Sequence, residues 1–113
     1  MVTMIRKLDQ QRHELKALRY LLEFFPQSIQ DREELPSRED FQLLESQQVY
    51  DVLLAAKTKE EATQAIAALE LEDIDVESFI GLGGQLYHTY PQVVKARAQE
   101  FRAGTLKIVV PRE

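Results

Sequence analysis

Hydrophobic positions along this chain recur mostly at helical spacing. Met4, Leu8, Gln11, Leu15, Leu18, Leu22 and Phe25 fall on alternating four- and three-residue steps with one polar interruption, predicting a helix over 4–25. Tyr20, Leu21 and Phe24 widen that stripe, so its C-terminal end should be buried on more than one side. The N-terminal half is narrower and more charged, with Arg6, Lys7, Asp9, Arg12, His13, Glu14 and Lys16, and is expected to protrude or to pair with another copy. Pro26 ends the helix, because a residue preceding proline is pushed out of helical conformation. A polar connection bracketed by Pro26 and Pro36 follows. Ile29 and Leu35 are its anchors, and its length leaves room for a helical turn.

A second helix is predicted over 38–56. Ser37 serves as N-cap, and Glu39 and Asp40 sit at the positive end of the helix dipole. Phe41, Leu44, Gln48, Val52 and Ala55 give one apolar face, while Leu43, Tyr50, Leu53 and Leu54 add another. Thr58 with Glu61 three residues on forms a capping box for a third helix over 59–70, striped by Ala62, Ala65, Ile66 and Leu69. Its alanines predict close approach to the second or fourth helix. As a DNA-reading helix pair this segment is poorly suited, since its second member presents Glu60, Glu61, Gln64 and Glu70.

Asp75 caps a predicted fourth helix over 76–89. The nearby acids Glu72, Asp73 and Asp75 do not fit the spacing of a calcium loop. Three of the four glycines of the chain, Gly81, Gly83 and Gly84, fall inside this segment without breaking its apolar period. Glycine within a helix costs up to about 1 kcal/mol relative to alanine, so the expected reason for three is a close helix crossing. Neither a preceding strand nor a following lysine supports a phosphate loop. Pro91 suits the first turn of a fifth helix over 91–103, with Val93, Val94, Ala98 and Phe101 inward, Lys95, Arg97, Glu100 and Arg102 in water, and Gly104 as terminator. Thr105 to Val110 then turns β-branched and reads as a strand over 105–110. A lone strand leaves backbone groups unpaired. It must pair with the N-terminal MVTMI, with its counterpart in a second chain, or with a partner's sheet edge.

The expected fold is therefore all-α in the main: a single domain over 1–113, built as a bundle of four or five helices with a short C-terminal β-strand. Charge adds a second pattern. Residues 1–30 carry five Lys/Arg against three acids, residues 31–77 four against fourteen, and residues 78–113 five against two, within a net charge of −5. The acidic middle repels phosphates. No apolar run is long enough to span a membrane, and the N-terminus turns polar too early for a secretory signal. With no cysteine, disulfides are excluded and a reducing cytoplasm is the expected compartment.

Function is read from what these elements leave unpaired. The expectation is a non-enzymatic protein-interaction or regulatory module, a homodimer or the partner of another protein. It would act through helix 1 and the terminal strand: Leu8, Leu15, Leu22, Leu106, Ile108 and Val110. The alternative is a nucleic-acid-associated regulator using Arg6, Lys7, Arg12, Lys16, Arg19, Lys95, Arg97 and Arg102, which requires the two basic ends to converge on one face. A third reading is an enzyme using His88 as a general base. No serine or second histidine is spaced to complete a triad or a metal site, and neither cofactor nor metal is expected.

Overall fold

The computed structural model describes residues 2–30, 33, 35–71 and 90–109. The predicted helix over 76–89, Gly81, Gly83, Gly84, His88 and Val110 lie outside the described residues. What is described is mainly helical: α1 Lys7–Glu23, α2 Gln27–Gln30, a 3-10 turn Arg38–Asp40, α3 Leu44–Ala55, α4 Lys59–Ala67 and α5 Tyr90–Arg102. Two short strands complete it, β1 Thr3–Arg6 and β2 Leu106–Val109.

The N-terminus corrects the first predicted boundary. Met4 belongs to β1 and not to a helix beginning at residue 4. Val2, Thr3 and Ile5 are β-branched, and their extended backbone meets β2 in a parallel pair, Thr3 against Leu106 through Arg6 against Val109. Of the three partners open to the terminal strand, the chain's own N-terminus is the one it takes.

α1 packs along α5 and against α3 and α4. Ala17, Leu18, Leu21 and Leu22 are wholly buried. Phe25, Ile29 and Leu35 carry the same core along the connection, where α2 is the helical turn that its length allows. Phe24, expected to widen the buried stripe, is instead exposed beside Tyr20.

The second helix also starts later than predicted. Ser37 caps only the 3-10 turn, with Asp40 returning the bond to the Ser37 amide at 3.0 Å. Phe41 is extended, and α3 begins at Leu44. The physical reason is twofold. Phe41 is drawn fully into the core, its ring 4.8 Å from that of Tyr50. The amides of Gln42 and Leu43 are taken by Glu14. From that start the inward positions of α3 are Ser46, Val49, Tyr50 and Leu53, while Leu44, expected on an apolar face, stands exposed.

α4 begins as read. Thr58 Oγ1 accepts from the Glu61 amide at 3.1 Å, and Ala62 and Ile66 are buried. The helix ends at Ala67, short of the predicted residue 70, and lies against α3 and α1. α5 ends in a Schellman closure. The Thr105 amide donates to Glu100 O and the Gly104 amide to Phe101 O, and Gly104 holds the positive φ of 78° that this turn requires. That reversal delivers β2 to β1.

Candidate interaction surface

Two clusters stand apart from the apolar core: a buried polar junction and the surface of the β1–β2 sheet. In the junction, Arg97 on α5 donates from Nε and Nη2 to Gln10 Oε1, at 3.2 and 2.9 Å. Gln10 Nε2 donates to Glu14 Oε2 at 2.8 Å, and Glu14 accepts from the backbone amides of Gln42 at 2.6 Å and Leu43 at 3.3 Å. One carboxylate thereby supplies acceptors at the entry to α3, where the amides lack helical partners. Burial raises the Glu14 pKa above the usual carboxylate value, and the bonds from Gln42, Gln10 and Leu43 oppose that rise. His13, half-buried on the same helix, is lowered from 6.5 to about 4 by burial first and by Arg97 and Lys16 second. It stays neutral near pH 7.

Glu14 and Gln10 were not singled out from sequence, although a signal for them exists. Gln10, Glu14, Leu18 and Leu22 follow one another at four-residue steps, so both polar residues share the face of the core leucines. The junction fastens α1 to α5 close to the points where β1 enters and β2 leaves, and so fixes the two strands beside each other.

Parallel neighbours point their side chains to the same face of a sheet. In this register Thr3 and Ile5 share a face with Leu106 and Ile108, and Met4 and Arg6 share the other with Lys107 and Val109. Leu106 is buried while Ile5 and Ile108 are half-buried, so the first face looks inward. All four residues of the second face are exposed, Met4 to 57% and Val109 to 39%. Val2 continues that row by alternation and Leu8 follows on α1, each about half exposed. The result is a mixed apolar and basic face, with Met4 beside Lys107 and Val109 beside Arg6, on a sheet that has two strands among the described residues. Parallel sheets are ordinarily covered on both faces, which makes this open face unusual.

The residues expected to mediate interaction therefore separate. Leu22 and Leu106 are core, and Leu15 packs against the core from its margin. Ile108 lines the inner face, whereas Leu8 is on the surface. The residues read as nucleic-acid contacts divide too. Arg19 is buried and bound to Glu23 at 2.9 Å. Arg97, expected in water, is half-buried and holds Gln10; Arg102 is exposed as expected and reaches Asp40 at 2.7 Å, and Lys95 Nζ donates to Glu33 O. Lys95, Arg97 and Arg102 thus tie α5 to other parts of the fold, while Arg19 is held within α1. Arg6, Arg12 and Lys16 are exposed and Lys7 is half-exposed.

Among the described residues no helix is long and apolar enough to cross a membrane. No protein-family model, no curated protein and no solved structure matches the chain. The functional reading rests on the chemistry of the surface itself.

Proposed function

We propose that the chain is a protein-interaction module whose binding surface is the outer face and open edge of the β1–β2 sheet, extended by Leu8 at the start of α1. The observation that carries this reading is the exposure of Val2, Met4 and Val109 on one face of the β1–β2 sheet, where Met4 stands beside Lys107 and Val109 beside Arg6. Exposed apolar residues gathered on one face mark contact surfaces, and a free strand edge is a template for another chain. The helical part acts as a scaffold that holds the two strands in register.

The test compares two substitutions at exposed apolar positions. Met4→Asp with Val109→Asp should abolish retention of protein partners by the immobilised chain. Leu44→Asp, at an exposed leucine of α3 away from the sheet, should leave it unchanged. Equal retention by both variants overturns the reading. Light scattering of the purified chain then tells whether the partner is a second copy, as a homodimer requires, or a different protein.

A further inference from the structure

We infer that the β1 edge accepts an extended segment of another protein as a third strand, and that this segment alternates apolar and acidic side chains on the face it shares with Met4 and Arg6. The inference rests on the proposed function above and names the chemistry of its partner.

The backbone supplies the first argument. The Thr3 amide donates to Thr105 O at 2.8 Å, so Thr3 directs its hydrogen-bonding groups toward β2. Backbone groups alternate in direction along a strand, which turns those of Met4 away from β2. Among the described residues no third strand meets them, and three of the four β1 residues are exposed. Main-chain pairing along such an edge is a recurring mode of peptide capture, in which alternate side chains confer selectivity.

Charge supplies the second argument. The strands TMIR and LKIV contain two basic residues and no acid, in a chain whose net charge is −5. Arg6 and Lys107 are exposed and form no ion pair among the described residues. A strand laid beside β1 sets every second side chain next to Met4 and then Arg6. An apolar residue suits the first position and a carboxylate the second, because opposite charges across neighbouring strands are favourable and like charges are not.

The same features disfavour other occupants. A second copy adding its own β1 or β2 brings more cations and no acid to the shared face. Nucleic acid has no use for a strand edge, and the outer face of the sheet itself offers phosphates only Arg6 and Lys107.

The probe is a capped eight-residue peptide with valine and glutamate alternating on one face and threonine on the other. Titrated into the full chain and followed by amide NMR, it should shift Val2, Met4 and Arg6. Lysine in place of glutamate should weaken binding about tenfold, as should N-methylation of the peptide amides that face the edge. Arg6→Glu with Lys107→Glu should reverse the preference for glutamate. Equal binding of the glutamate and lysine peptides overturns the inference, as do shifts confined to α3 and α4. Tighter binding of a single-stranded oligothymidylate at the same amides also overturns it, and so does a homodimer that already occupies the β1 edge. If the peptides fail while Met4→Asp with Val109→Asp still loses a partner that Leu44→Asp retains, this inference falls and the interaction module stands.

Discussion

The two ends of α1 obey opposite rules. At the C-terminal end, Leu18, Leu21 and Leu22 are sealed against α3, α4 and α5. At the N-terminal end, Leu8 is half exposed while Gln10 and Glu14 are buried. A polar pair inside and a leucine outside invert the usual amphipathic arrangement. The inversion shows that the two ends answer different demands. The C-terminal end supplies burial that stabilises the fold. The N-terminal end combines a hydrogen-bonded clamp between α1, α5 and the entry to α3 with the exposed Leu8.

The widest contrast comes from one substitution made at two places. Leu18→Ala removes a fully buried side chain from the centre of the core and should cost about 3 kcal/mol. Leu8→Ala, on the same helix, should stay within about 0.5 kcal/mol of the parent. Denaturant unfolding of the pair measures both. Equal losses would erase the distinction between the ends.

Glu14→Ala sharpens the comparison from the polar side. It strands the amides of Gln42 and Leu43 and the Nε2 of Gln10, and should cost about 2–3 kcal/mol. Glu14→Gln retains one acceptor oxygen and should cost less. Circular dichroism melts of the two variants check the order, and an equal loss would mean that the side chain acts by filling space.

A smaller effect is expected in the pH dependence. His13 is lowered from 6.5 to about 4, so the unfolded chain takes up a proton at higher pH than the folded one. Its contribution to stability is full above 6.5 and is lost as pH falls toward about 4. Glu14, raised by burial, has the opposite sign: its contribution favours folding at acidic pH and is lost as pH rises through its folded value. His13→Gln should therefore lose less stability than the parent between pH 6.5 and pH 4. Denaturant unfolding across that interval reads the slope, and an unchanged slope would place His13 in water.

Much of the scaffold was legible in the pattern of the chain. The core leucines of α1, the Thr58 cap, the Gly104 terminator and the β-branched run from Thr105 are local signals, and local chemistry decides them. What the sequence hid depended on partners far along the chain. β1 is extended because β2, about a hundred residues later, pairs with it, and no window around Met4 contains that fact. The start of α3 is moved to Leu44 by a carboxylate on α1. Arg97 looks like a solvated charge until α5 is laid beside Gln10. Leu8 fits the heptad yet faces out, because the inward positions in that part of α1 are taken by Gln10, Gln11 and Glu14. The candidate surface was legible only as a strand in need of a partner. The outer face of Met4, Arg6, Lys107 and Val109 exists only once the register is known.

The central claim is that this outer face belongs to a partner and not to the core. The most direct measurement is the unfolding free energy of the Met4→Asp, Val109→Asp double variant. The account predicts a value within about 1 kcal/mol of the parent, the range that strand propensity at exposed positions allows. A loss as large as that of Leu18→Ala would contradict it, because Met4 and Val109 would then be holding the fold together themselves.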